Sequence, residues 1–268
     1  MRLDSSSLKF AVLTSPVAGT TVTERRGSLS AVMAHAPNAD VLVLPYQAVA
    51  SAFWRQPDRA QGFAFAERPP FKTVEICRRV AAEIGIPTLV STYDVLGEGV
   101  FYSTARLLDG DGEIRTEYRQ AHALNLPDHH ERLFFQPGTT GSFPLFDVNG
   151  VHFGVLLGGD LWVPEIARCL ALAGADALVC IGAFAGEVES KARILAEARS
   201  IENGISVLLT NRDEEPVAFG RVAADLAIEA KDGWSTINVP LSTLADDPLI
   251  MRRPRLYRAL THGEEGTL

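Results

Sequence analysis

Strand-like and helix-like patterns alternate along this chain from Leu8 to Val239, and one hairpin signal interrupts the alternation. Leu8 to Thr14 reads as a strand. Thr21-Val22-Thr23-Glu24 is a capping-box signal that opens a helix running to about Ala36. Val41 to Leu44 is an aliphatic run typical of a buried strand. A helix follows Pro69-Pro70, with Val74, Cys77, Val80, Ala81 and Ile84 at three-to-four spacing, and Gly85 with Pro87 stops it. Thr88 to Thr92 is the next strand. Val100 to Leu108 and Glu113 to Tyr118 flank the turn Asp109-Gly110-Asp111-Gly112. Val151–Leu157, Ala177–Ile181, Ile205–Thr210 and Trp234–Val239 read as strands. Pro164 sits early in one helix, and Glu187–Asn203 forms another that Gly204 ends. Hairpins mixed with helical crossovers predict a layered α/β fold with helices outside paired sheets. No repeat or linker divides the chain, so one domain over 8–260 is expected, with a C-terminal tail at 261–268.

Bulk properties exclude some functions. The net charge is −8, from 25 basic and 33 acidic residues, and the first dense basic run is Arg252-Arg253-Pro254-Arg255. Nucleic-acid binding needs a concentrated basic surface, so it is not expected. The late arginines read as a solvated tail or a dimer contact. Cys77, Cys169 and Cys180 make an odd set, which predicts reduced thiols and a cytoplasmic protein. The first residues lack the apolar stretch of a signal peptide, and no apolar run reaches about 18 residues, so no membrane association is expected.

Three segments carry the chemistry: Leu42-Val43-Leu44-Pro45-Tyr46, Tyr118-Arg119-Gln120-Ala121-His122 and Gly154-Val155-Leu156-Leu157-Gly158-Gly159-Asp160. Their order and setting resemble the nitrilase (carbon–nitrogen hydrolase) superfamily. Further matches run from about residue 8 to 260. They include Glu131 to Gly138, Asp160 to Arg168, Gly174-Ala175-Asp176, Ala198 to Asn203, Thr210-Asn211 and Arg253 to Tyr257. The resemblance implies a single-domain αββα sandwich. It also implies Glu, Lys and Cys where this chain has Tyr46, Gln120 and Gly158. After Asn211 the chain is shorter than the family pattern, so one side of the pocket is expected to be reduced.

That family's hydrolysis uses a thiolate to attack carbon, a carboxylate to move protons and a cation to stabilise developing charge. Gly158 has no side chain, a phenol such as Tyr46 titrates near about 10, and Gln120 brings no charge. Loss of such a unit costs on the order of 10⁶ in rate. The leading expectation is therefore a catalytically degenerate protein that serves as a binding, regulatory or scaffold subunit. The alternative is a repurposed enzyme acting on a small nitrogen-containing metabolite through Glu131, His122, Asp160 or Cys180, in space opened by Gly158-Gly159. An ordinary amidase or nitrilase is the third reading.

The remaining candidates each have two readings. Glu131 is a pocket acid or a structural carboxylate. Asp160 lines the pocket or caps the following helix. Cys180 is a relocated nucleophile or a small buried hydrophobe. Tyr46, Tyr102 and Trp162 form an aromatic pocket lining or plain core. Asp128-His129-His130-Glu131 with His122 invites a metal reading, but adjacent histidines point apart, so neither metal nor cofactor is expected. The tail match implies a homodimer. A small-molecule ligand or a catalytic protein partner would complete a scaffold.

Overall fold

The computed structural model describes residues 7–138, 143–212, 214–220, 226–241 and 248–257. The expected tail at 261–268 lies outside them. The chain begins with β1 (Ser7–Leu13), α1 (Val22–Met33) and β2 (Val41–Val43), followed by the short α2 (Arg59–Phe63) and by α3 (Lys72–Ile84). Next come β3 (Thr88–Gly97), β4 (Val100–Leu108), β5 (Ile114–Arg119) and a small hairpin of β6 (Asn125–Leu126) and β7 (His129–His130). A second run holds β8 (Leu145–Val148), β9 (Val151–Leu157), α4 (Pro164–Leu172), β10 (Ala177–Gly182), α5 (Glu187–Asn203), β11 (Ser206–Asn211) and β12 (Val217–Phe219). β13 (Ile228–Lys231) and β14 (Trp234–Pro240) then return to the first sheet.

Local chemistry sets several boundaries. Thr21 accepts the Glu24 amide at 3.2 Å while the Glu24 carboxylate accepts the Thr21 amide at 3.1 Å, so the capping box opens α1. Gly85 at φ +71° ends α3, and Gly204 at φ +64° ends α5. Between β4 and β5, Asp109 Oδ1 accepts the amides of Asp111 and Glu113 at 2.9 and 2.8 Å.

Two sheets result. One has the strand order β13-β14-β1-β2-β3-β4-β5 and the other β12-β11-β10-β9-β8. They pack face to face around Phe10, Val43, Leu107, Phe153, Val179 and Ile181, with Phe10 and Phe153 edge to face at 5.8 Å. The far side of the first sheet buries Leu29, Met33, Cys77 and Val80 of α1 and α3. The far side of the second buries Ile166, Leu170, Ala192 and Ala196 of α4 and α5. The layers are α, β, β, α, as expected.

Strand parity corrects one candidate. Ala177, Val179 and Ile181 of β10 face the sheet–sheet core, so Leu178 and Cys180 face the helix layer. Burial pushes the Cys180 thiol far above its ordinary range, and the neighbouring carboxylates Asp160 and Glu131 push it further. Cys180 is a packed hydrophobe of the helix layer.

Candidate functional site

β9 and β10 run parallel and end together, with Leu157 opposite Ile181. In open α/β sheets the carboxyl ends of parallel strands are where side chains from separate segments converge. Here Tyr46 follows β2, Gln120 follows β5, Gly158 follows β9, and Glu131 arrives on the turn after β7.

These residues form one directed hydrogen-bond chain. Ser103 Oγ donates to Tyr46 Oη at 3.0 Å, and Tyr46 Oη donates to Gln120 Oε1 at 3.0 Å. Gln120 Nε2 donates to Glu131 Oε2 at 2.7 Å and to the His122 carbonyl at 3.0 Å. Burial first, then the Glu131 charge, holds the Tyr46 phenol well above its usual range, so it stays a donor.

Glu131 is 2% exposed, and its two oxygens differ. Oε2 collects the donors: Gln120 Nε2, the Leu124 amide at 2.8 Å and the Gly159 amide at 3.3 Å. Oε1 turns toward Gly158. Burial raises the Glu131 pKa to about 7, against the lowering effect of those donors, and the Asp160 charge adds to the rise.

Four expectations need correction. Gly158-Gly159 does not leave an opening in this conformation: a Cβ on Gly158 would meet Glu131 Oε1 at 2.5 Å, and one on Gly159 would meet the His122 carbonyl at 2.3 Å. Asp160 does not cap α4, whose N-cap is Val163. Its Oδ1 accepts the Ala121 and His122 amides at 3.1 and 2.8 Å, and its Oδ2 accepts Tyr118 Oη at 2.8 Å and the Leu157 amide at 3.1 Å. Tyr102 lies on the opposite face of β4, under the Arg119 guanidinium at 4.9 Å. Its neighbour Ser103 is the β4 residue that reaches Tyr46, and alternation along a strand is the signal that separates the two. Trp162 packs on Phe184 at 5.1 Å, toward the helix layer. His122 is half-exposed, its Nδ1 lies 3.5 Å from Asp160, and that carboxylate raises its pKa.

A rim closes the cluster. Arg212, directly after β11 of the second sheet, donates to the carbonyls of Tyr46, Gln47 and Ala50 at 3.4, 3.2 and 2.7 Å. Trp54 packs edge to face on Tyr46 at 5.1 Å.

The sequence model of the family described as carbon-nitrogen hydrolase matches residues 20–235. A Pseudomonas protegens protein described as a hydrolase in the pqqF 5′ region is 30% identical over 207 residues, 76% of this chain and 69% of its own length. The N-carbamoylputrescine amidase of Arabidopsis thaliana is 29% identical over 161 residues, 59% of this chain. That match spans 52% of the relative, so the chain covers about half its length. A carbon-nitrogen hydrolase structure from Helicobacter pylori superposes with a TM-score of 0.81 at 20% identity, covering 95% of this chain and 98% of that one. These relatives overturn the expectation of a non-catalytic scaffold, since the proteins the chain resembles bear the names of enzymes.

Proposed function

This chain belongs to the carbon-nitrogen hydrolase family, and on that premise we propose that it is an enzyme acting on the amide-type nitrogen of a small metabolite, with Glu131 as its proton-transfer group. Two lines support the reading. The relatives named above are hydrolytic enzymes. Glu131 combines burial, a pKa of about 7 and an oxygen, Oε1, that none of its three donors uses. A group that titrates near neutrality serves well as both base and acid. The last observation carries the proposal.

In this reading Tyr46, Gln120 and Gly158 occupy the places of the family's Glu, Lys and Cys, so the route uses no thiolate at 158. Glu131 takes a proton from water, and the oxygen of that water bonds to the carbonyl carbon. The C–N bond then breaks, and Glu131 returns the proton to the leaving nitrogen. The products are a carboxylic acid and an amine or ammonia. Gln120 Nε2 and the Gly159 amide, which here donate to Glu131 Oε2, turn to the carbonyl oxygen of the substrate as that carboxylate withdraws. Substrate entry requires the Glu131 carboxylate to withdraw from Gly158 and the rim over Tyr46 to lift.

A panel of short amides and N-carbamoyl compounds, assayed for ammonia release, tests this. Glu131→Gln is expected to lower turnover by about 10²–10⁴-fold, and Cys180→Ala to leave it in place. Release that survives Glu131→Gln, or no release from any compound, overturns the reading.

We further infer a homodimer in the cytoplasm. Leu172, Ile194 and Ile201 on α4 and α5 are more than half exposed, which suits a contact with a second copy. Cys77, Cys169 and Cys180 are free thiols. Among the described residues no helix is long and apolar enough to cross a membrane. Light scattering at micromolar concentration that returns a monomer removes the dimer.

A further inference from the structure

The hydrogen-bond chain that ends on Glu131 begins on Gln47, and its direction is fixed. Gln120 Nε2 donates to the His122 carbonyl, which can only accept, so Gln120 turns Oε1 to Tyr46. The Tyr46 hydroxyl therefore gives its hydrogen to Gln120, and Ser103 gives its own to Tyr46. Ser103 Oγ then has only lone pairs left for Gln47, whose Nε2 donates to it at 3.4 Å. Gln47 Oε1 is the open end of the chain. It is a buried acceptor without a partner among the described residues, on a residue that is 2% exposed.

The backbone of Gln47 departs from the ordinary as well. Its φ is +47°, in the left-handed region that residues other than glycine rarely adopt. Three bonds hold it there. The Gln47 amide donates to Ser91 Oγ at 2.9 Å, and the Gln47 carbonyl accepts the Ala50 amide at 2.9 Å and Arg212 at 3.2 Å. Strained residues persist where their surroundings over-determine them, and they cluster at ligand clamps. Buried polar atoms normally find partners. Here the strained residue carries, one hydroxyl away from Tyr46, a side-chain carbonyl that lacks a donor.

A carbonyl oxygen in this place selects for a hydrogen on the group that meets it. The nitrogen of a primary amide supplies one, whereas a ketone methyl or an ester oxygen supplies none. We propose that Gln47 Oε1 accepts a hydrogen bond from the amide nitrogen of the substrate, which makes Gln47 the residue that selects substrates whose nitrogen bears hydrogen. This deepens the hydrolytic reading of Glu131 and rests on it for the place of the amide. No proton moves to Gln47, because a carboxamide oxygen is not a base near neutrality. The N–H stays on nitrogen, Gln47 orients that nitrogen, and Glu131 delivers the proton that lets it leave. Gln47 lies in the stretch whose carbonyls Arg212 holds, so its side chain meets the substrate as the rim settles.

Two probes of one shape test it: butyramide, and 2-pentanone, which has a methyl group in place of the NH2. Ligand-observed NMR titration gives the affinity of each, and butyrate release from butyramide is measured separately. Wild-type protein is expected to bind butyramide roughly tenfold more tightly than 2-pentanone, the effect of about one hydrogen bond. Gln47→Met keeps the length of the side chain without the acceptor and should bring the two affinities together. Gln47→Gly removes the acceptor at a backbone that favours glycine, so it keeps the fold, and should do the same. Circular dichroism and melting temperature establish that each variant is folded. Equal binding of the two probes by wild type, no binding of either, or variants that keep the wild-type preference overturns the proposal. The last result, with butyrate still released by wild type, sinks the Gln47 contact and leaves the hydrolytic reading standing. A preference that both variants lose, with no butyrate released by wild type, supports the contact and sinks the hydrolytic reading instead.

Discussion

Glu131 Oε1 lies 2.5 Å from the point that a Cβ on Gly158 would occupy. One carboxylate oxygen fills the volume a side chain at 158 would need, and Gln120 Nε2 stands 3.0 Å from the same point. Gly158 also adopts φ +45°, a conformation that L side chains rarely take.

Installing a nucleophile at 158 is therefore expected to damage the fold without restoring thiolate chemistry. Gly158→Cys and Gly158→Ala combine left-handed strain with overpacking and should destabilise by roughly 2–4 kcal/mol. Denaturant unfolding of either variant checks this. A midpoint equal to wild type would mean that the carboxylate yields freely.

Glu131 also sets a pH dependence. Its folded pKa of about 7 lies above the ordinary 4.5, so the folded state holds the extra proton between those values. Stability then falls as pH rises from about 4.5 to about 7, and the penalty is complete above that range, on the order of 3 kcal/mol. Glu131→Gln is expected to flatten this slope and to be at least as stable as wild type at pH 8. Unfolding measured at pH 5, 6, 7 and 8 on both proteins decides it.

Asp160 ties three segments that the site depends on. Its oxygens accept the amides of Ala121, His122 and Leu157 and the Tyr118 hydroxyl, all in a fully buried position. Asp160→Ala strands four donors and is expected to destabilise by roughly 3–5 kcal/mol. Asp160→Asn should recover part of that. A small loss in the alanine variant would show that water replaces the carboxylate.

Arg106 gives a control far from the proposed chemistry. It is 1% exposed, bonds Asp94 at 2.5 Å and Thr92 at 2.8 Å, and lies over Phe71 at 4.5 Å. Arg106→Met leaves Asp94 buried without its partner and should destabilise by about 3–5 kcal/mol. Replacing Asp94 by Leu in the same chain is expected to regain much of the loss, which a double-mutant cycle measures.

The sequence carried most of the architecture. α5 and β4 have their expected limits, and the Thr21–Glu24 box and the Asp109 turn are local chemistry that needs no tertiary context. The two-residue strands β6 and β7 are too short to show a period, and both escaped the reading. At the site, a resemblance placed Glu131 near Gln120, but the sequence left the surroundings of three side chains open, each for its own physical reason. β10 is buried on both faces, so its apolar run does not say which way Cys180 points. The Tyr102–Ser103 pair differs only in parity. Asp160 looked like a helix cap because a helix follows it, whereas its partners are 38 and 39 residues away in the chain.

Arg212 has a mechanical consequence. One guanidinium belonging to the second sheet grips three carbonyls within five residues of the first. The stretch from Tyr46 to Ala50 must then travel as a single piece, and lifting its far end drags the Tyr46 hydroxyl off Gln120. Admission of a molecule and loss of the Tyr46–Gln120 hydrogen bond become the same movement, so Gln120 keeps that partner only while the door is shut.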